Sequence, residues 1–403
     1  MRLLSCLSVI ALAACATSPA ATTSSTAAAP APAASAAAAE RGAFVVRLGS
    51  DTIAVERYTR DANRIEGDEA VRVPATALRH YVATLNPDGS VATLDYEGRR
   101  LVGTVPPTVA NLRFGTDTVT VALKLPGRDT TLRYAARGAL PYVNFSYALL
   151  EPLTMRAMRM TGDSAEVALI ALGAPTAMMS TLRRVGSDSV TFNIFEPNAY
   201  RIHVDARGRI LGLQGLATTQ KVLVDRVADV DVRAVAAAWA ARDSAGKSLG
   251  VLSPLDTMRA GVGAAQMTVV YSRPSVRGRT LLGGVLLPFG QVWRTGANAA
   301  TVFTTSRDLV LGGAPVPAGS YTLWTIPNAD GRTAKLVVNR QVGQWGTEYD
   351  ATKDLVRVDA AVSKVASPVE KFTFAVEPNA AGTGGVLKYT WGDTQFSVPF
   401  TVK

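Results

Sequence analysis

The stretch LRHYVATLNPDGSVATLDY, Leu78–Tyr96, decides the fold class. Two apolar-rich arms, Leu78–Leu85 and Val91–Tyr96, flank Asn86-Pro87-Asp88-Gly89. Proline presets one backbone angle, Asn and Asp bond their own backbone, and Gly supplies left-handed angles, so the chain reverses and the arms pair antiparallel. The pattern recurs. Val119–Leu125 and Thr130–Tyr134 flank Pro126-Gly127-Arg128-Asp129, and Tyr200–Val204 and Ile210–Leu213 flank Asp205-Ala206-Arg207-Gly208. Two stretches break it. In Tyr142–Met160, Leu149, Leu150, Leu153, Ala157 and Met160 recur at helical spacing, and Val232–Arg242 places Val235, Ala238 and Trp239 on one face. Residues 41–245 therefore predict an antiparallel meander or half-open barrel with one or two helices.

The rest of the chain, residues 251–403, is more purely β. Met267–Tyr271, Thr301–Thr305, Ser320–Ile326, Lys335–Asn339, Leu355–Ala360, Lys371–Val376, Leu387–Trp391 and Gln395–Thr401 are strand candidates. Trp391-Gly392-Asp393-Thr394 reads as a two-residue hairpin turn. Short strands with regular turn signals predict a C-terminal β-sandwich, and Ser244–Leu252 is the expected boundary between the two parts.

At 403 residues the chain has room for two or three domains of roughly 100–200 residues each. It is 48% hydrophobic and 18% charged, a composition that can bury a core. Two histidines and two cysteines exclude cysteine-rich zinc modules and disulfide scaffolds, and make histidine-based catalysis a poor expectation. The net charge of +10 is spread evenly, with no Lys/Arg-rich short run, so nucleic acid is not an expected partner.

The N-terminus, MRLLSCLSVIALAAC, has a positive start and an apolar stretch of signal-peptide length. Leu12-Ala13-Ala14-Cys15 resembles the lipobox of bacterial lipoproteins. The resemblance implies a signal peptide over 1–14, acylation of Cys15 and a membrane partner reached through that lipid anchor. Ala16, rather than Asp, follows the cysteine, which implies an outer-membrane location facing the periplasm. Residues 16–40 are Ala, Pro, Ser and Thr with one Glu and read as a tether over 15–40. As a flexible coil its mean reach is roughly 25–30 Å.

Four motifs of the second half carry a further resemblance: YSRPSVRGR (271–279), LLPFGQVWRTGANAAT (286–301), PAGSYTLWTIP (317–327) and NRQVGQWGTEYD (339–350). They resemble the family catalogued as domain of unknown function 2911. That resemblance implies a β-rich domain of bacterial envelope proteins and no established activity. In the first half, element order alone resembles the half-open barrels of lipoprotein-carrier proteins.

Other motifs weigh little. Ala241–Ser248 satisfies a relaxed phosphate-loop pattern, but a helix precedes it and an extended segment follows, the reverse of what phosphate binding needs. Ser244 and Lys247 match S-x-x-K without the accompanying elements of serine acyl-enzymes. His80 and His203 read as ordinary strand histidines, and no metal site or cofactor is expected.

The informative charge feature is local. Between Thr257 and Arg307 stand Arg259, Arg273, Arg277, Arg279, Arg294 and Arg307 with no acid. Within it, Trp293-Arg294-Thr295-Gly296-Ala297-Asn298 pairs a guanidinium with an indole on a loop that Gly296 and Asn298 allow to fold back. Such a pair stacks on a flat ligand or clasps a carboxylate or phosphate. Tyr271, Arg273, Trp293, Arg294 and Asn298 are the candidate ligand-binding residues. The competing expectation is that Arg294 or Arg273 is paired structurally with Glu370 or Glu348. Trp345 is expected in core or turn, and Trp324 in the sandwich core. The sequence thus points to a non-enzymatic envelope module that binds a polar or anionic ligand, or an envelope protein. The alternatives are a carrier of a hydrophobic ligand beneath the Tyr142–Met160 helix, or an envelope enzyme without a recognisable catalytic set.

Overall fold

The local turn chemistry read from the hairpins reappears as hydrogen bonds. Asp88 accepts from the Ser90 N–H at 2.8 Å, and Asn86 N–H donates to Ser90 O at 2.8 Å, closing the turn between strands Ala77–Leu85 and Val91–Arg100. The computed structural model describes residues 39–194, 199–218 and 220–403. The signal peptide, Cys15 and the tether up to residue 38 lie outside the described residues. The last expected tether residue, Glu40, begins the first strand, Glu40–Leu48.

The protein is mainly β, built on two large sheets. The first has fifteen strands between Glu40 and Val227, each hydrogen-bonded to its neighbours. Its pairs are antiparallel except the last, where Leu140–Tyr142 runs parallel to Ser164–Ala171. Glu40–Leu48 pairs with both Asp51–Arg60 and Leu223–Val227, so the strands before and after it form one continuous sheet whose edge strands are Arg128–Ala135 and Leu140–Tyr142. One face packs on residues 143–159, whose Phe145, Leu149, Leu150, Leu153 and Ala157 join the strands in one core. Helix α1 is shorter than the periodicity predicts: it spans Glu151–Arg159. Phe145 stands at φ 77°, and Pro152, lacking an N–H, is compatible only with a helix's first turn, so residues 142–150 run irregularly.

Helix α2, Val232–Ser244, starts on Asp231, whose carboxylate accepts the Ala234 N–H at 3.0 Å. It buries Val232, Ala236 and Trp239 against Val55 and Ala70 on the other face of the sheet, while Ala238, expected in the buried stripe, is exposed. One turn and then another separate the buried positions, so the stripe is 232/236/239.

The second sheet has nine strands between Leu255 and Val402 around its own core. Four expected strands merge into two: Asp354–Pro378 and Gly384–Val402. The expected turn at Trp391–Thr394 is a correction. The chain continues straight through it, with Gly392 opposite Val369 and Thr394 opposite Lys364. Gly392 has φ 60°, and the register shifts there, so the left-handed angle serves a bulge rather than a reversal. The bent strands bring Phe372 and Phe374 back onto Tyr271, consistent with a sandwich-like arrangement. Trp324 does not enter that core. It lies on the opposite face with Ala300 and Val337, covered by Tyr349, because strand neighbours alternate sides and Leu323 takes the inner position.

Candidate functional site

The Trp293–Asn298 loop is held from below by hydroxyls. Thr295, fully buried at φ 49°, meets Thr325 at 2.8 Å, and Thr325 meets the Tyr389 hydroxyl at 3.0 Å. Asn298 takes a left-handed φ of 60°, as its residue type allows. Trp293 Nε1 donates to Gly296 O at 3.2 Å, and its ring stacks on Trp391 with centroids 5.7 Å apart and planes 10° from parallel. Arg294 Nη1 donates to Asn298 O at 3.2 Å. The stem of Arg294 lies across Gly346, where a Cβ would come within 2.2 Å of Arg294 Cδ and 2.5 Å of Asn298 O. Glycine is therefore required at 346 for this close approach.

Trp293, Arg294 and Asn298 line a cleft of about 890 Å³ between the mouth of the first sheet and the loops of the second. Tyr271 and Arg273 do not reach it. Tyr271 is buried and its hydroxyl accepts the Phe374 N–H at 3.2 Å. Arg273 is pinned to Phe372 O, Thr373 Oγ1 and Asp256, the last at 3.0 Å. Its partner is thus Asp256 rather than Glu370 or Glu348. Glu370 instead accepts the Arg277 N–H at 3.0 Å, and Glu348 accepts the Trp345 N–H at 3.4 Å. Trp345 itself is exposed and forms an isolated antiparallel bridge with Ala299 just before the turn.

Residues that the sequence did not single out complete the cleft. Arg79 comes from strand Ala77–Leu85, and Lys221 precedes strand Leu223–Val227. Arg277 and Arg279 follow strand Ala265–Ser272. Arg277, at φ 51°, pairs with Asp51, and its carbonyl accepts the Ser50 N–H at 3.0 Å, joining the two sheets' loops. Arg279 donates to Val276 O at 2.9 Å and Ser275 O at 2.5 Å. Burial, then the neighbouring Arg277 charge, lowers its guanidinium to about 10. Among the described residues no carboxylate is within salt-bridge distance of Arg279, and no Asp, Glu or His lines the cleft. The acid-free run from Thr257 to Arg307 was the signal that could have found Arg277 and Arg279. Nothing in the local sequence marks Arg79, Lys221 or Trp391.

Two buried carboxylates outside the lining hold the segment that borders the cleft. Glu56, fully buried, accepts Tyr147 N–H at 2.7 Å, Ala148 N–H at 3.1 Å and the Tyr81 hydroxyl. Glu69, also fully buried, accepts Ser146 Oγ at 3.0 Å and Arg79 Nη1 at 3.1 Å, and Arg79 Nη1 also donates to Asn144 O at 2.8 Å. These bonds fix residues 144–148, of which Asn144 and Phe145 line the cleft. Burial, then the Glu69 charge, pushes the Glu56 carboxyl up to about 8. Trp391, also on the lining, has a buried Nε1 with no hydrogen-bond partner. The lining brings together guanidinium, ammonium, indole and side-chain amide groups, a set that can make charge-assisted hydrogen bonds to an anion.

His80 meets Asp68 at 2.9 Å on the exposed face, and His203 lies 3.7 Å from Asp188; both are remote from the cleft lining. The phosphate-loop match at Ala241–Ser248 is the end of α2 and the loop after it, with no helix following. Leu149, Leu150, Leu153 and Ala157 are buried in the core of the first sheet, and Tyr142, Val143 and Asn144 of the same segment line a cavity.

Residues 253–400 match the sequence model of the family described as Protein of unknown function (DUF2911). Among curated proteins none matches. Two solved structures are similar over part of the chain. One is a DUF1089 family protein from Pseudomonas aeruginosa, 14% identical, covering 42% of this chain and 94% of its own, with a TM-score of 0.33. The other is a beta-barrel-like protein of domain of unknown function DUF1849 from Brucella abortus, 11% identical, covering 47% of this chain and 95% of its own, with a TM-score of 0.34.

Proposed function

We propose that this chain is an exported, lipid-anchored protein of the cell envelope, held by Cys15 at the outer membrane and facing the periplasm. Its folded part is a non-enzymatic binding module that takes an anionic ligand in the cleft lined by Arg294 and Trp293. The lipobox-like LAAC ending and the Ala/Pro/Ser/Thr tether support the first part. One observation carries the second: Arg79, Lys221, Arg277, Arg279 and Arg294 line one cleft with no carboxylate among its described residues. Arg79 is held by Glu69 and Arg277 by Asp51 from behind the lining, and an anion entering the cleft can accept charge-assisted hydrogen bonds from the lining cations. The cleft volume is within the usual range for small-molecule sites, about 300–1,000 Å³.

Three tryptophans, Trp293, Trp324 and Trp391, line the cleft, so their fluorescence reports occupancy. Glucuronate and glycerol phosphate are expected to quench it saturably, and glucose is not. Arg279→Gln removes a cation that makes charge-assisted bonds worth about 1.5–3 kcal/mol and is expected to weaken both anions roughly tenfold to a hundredfold. Equal binding of glucose and glucuronate, or anion binding indifferent to Arg279→Gln, would refute the reading.

A further inference from the structure

Two short runs of the second half carry no charge. Residues 248–255 stand between Lys247 and Asp256, and residues 280–293 between Arg279 and Arg294. Of the twelve large hydrophobic side chains exposed among the described residues, five fall in these runs: Val251, Leu255, Val285, Phe289 and Val292. They are gathered rather than scattered, since Val251, Val285 and Val292 border the same cleft. The exposure is built into the backbone. Leu281 and Leu287 are buried in the second core and pin both ends of a turn. Gly283 N–H closes it onto Leu287 O at 2.9 Å, and Gly284 N–H onto Leu281 O at 3.0 Å. Val285, between the two anchors, is left 50% exposed at the tip. Phe289, 41% exposed, covers Gly283, where a Cβ would come within 2.6 Å of its ring. Val285 and Phe289 thus stand on one projection.

The charge beside this projection is positive. From Thr257 to Arg307 the chain has no acid. Asp256 pairs with Arg273, Asp51 with Arg277, Asp330 shares a turn with Arg332, and Lys371 follows Glu370, so these acids are offset. Lys247 and Arg279 make no ion pair among the described residues. We infer that this rim rests on an anionic phospholipid surface, with Val285 and Phe289 among the acyl carbons and Lys247 and Arg279 at the headgroup phosphates. Apolar turn tips gain by leaving water, and cations beside them gain from the negative potential of such a surface. A symmetric pair of copies would instead set positive rim against positive rim, which disfavours a second copy as the occupant. The inference goes beyond the anion-binding reading and does not rest on it.

The test takes residues 39–403, which lie in one compact unit holding both cores, so the outcome is independent of any acyl group on Cys15. Sedimentation with vesicles compares phosphatidylcholine alone with phosphatidylcholine containing one third phosphatidylglycerol. A cation near an anionic surface is worth about fivefold in binding, so Lys247 and Arg279 together predict a preference of about tenfold or more for the anionic vesicles, weakened by salt. Val285→Ser combined with Phe289→Ser is expected to weaken binding by about tenfold or more. Met179→Ser, at an exposed position of the first sheet, is expected to leave it unchanged. Residues 39–403 contain no cysteine, so a dye on Val285→Cys reports this tip alone. Spin-labelled lipid should quench it and spare the same dye on Met179→Cys, a reading that stands should the double variant fail to fold. Absence of binding, equal binding to both vesicles, or an unquenched dye at residue 285 overturns the inference. So does dimerisation without lipid that the double variant abolishes, which would make the rim a contact between copies.

Discussion

Glu56→Gln is expected to make this protein more stable above neutral pH and to flatten its pH dependence. The Glu56 carboxyl is fully buried, and burial together with Glu69 raises it from an ordinary 4.5 to about 8. Below pH 4.5 the folded and unfolded chains both keep the proton, and the fold holds its full stability. As pH rises from 4.5 toward 8 the unfolded chain releases the proton and the folded chain retains it, so stability falls. Above 8 both forms are ionised and the loss is complete. A rise of about 3.5 units at about 1.36 kcal/mol each sets a ceiling on the order of 5 kcal/mol. Glu69, likewise raised by burial, adds in the same direction, while Arg79 opposes that rise. Tyr81 and Tyr147, the other ionisable groups packed there, are pushed far upward by burial and stay protonated across this range. Glutamine keeps every contact: its carbonyl accepts the Tyr147 and Ala148 N–H groups, and its amide donates to the Tyr81 oxygen. Denaturant midpoints of residues 39–403, followed from pH 5 to 9, should fall steeply for the parent and much less for Glu56→Gln. Parallel curves for the two proteins would refute the assignment of Glu56 as the proton-holding group.

Three more outcomes follow from named contacts. Glu151, fully buried, faces Arg60, Arg209 and Arg226 at 3.5, 2.7 and 3.0 Å. Glu151→Ala leaves the buried Arg60 without its carboxylate and Arg209 and Arg226 with Glu40 alone, and the denaturant melt should show a loss of roughly 3–5 kcal/mol. Gly346→Ala drives a methyl into Arg294 Cδ and Asn298 O, and should weaken glycerol phosphate binding more than it lowers the melting temperature. Cys15→Ser removes the only thiol at the lipobox-like site, so metabolic labelling with a fatty-acid analogue should vanish; persistent label would refute lipid attachment there.

The sequence by itself determined what depends on neighbours in the chain. Asn86–Gly89 and Asp205–Gly208 carry their own turn angles and hydrogen-bond acceptors, so the hairpins around them form wherever the rest of the protein goes. The Arg/Trp loop was legible for the same reason: Trp293, Arg294 and Asn298 are close in sequence and reach the cleft together. Tyr271 and Arg273 looked equivalent, yet the bent strand Asp354–Pro378 returns to bury one and pin the other. Gly392 was misread because a left-handed angle serves a bulge and a hairpin turn alike, and only the partner strand distinguishes them. Glu56, Glu69 and Glu151 sit in sequence among ordinary charged positions. What buries them is residues 143–159 docking into a sheet whose strands come from distant parts of the chain. The cleft follows the same logic. Arg79, Lys221, Arg279 and Trp391 are separated by more than three hundred residues from first to last, and their common charge environment exists only once both sheets have closed. Turn chemistry is local and travels with the sequence; burial and electrostatic company are collective, and the tertiary fold assigns them.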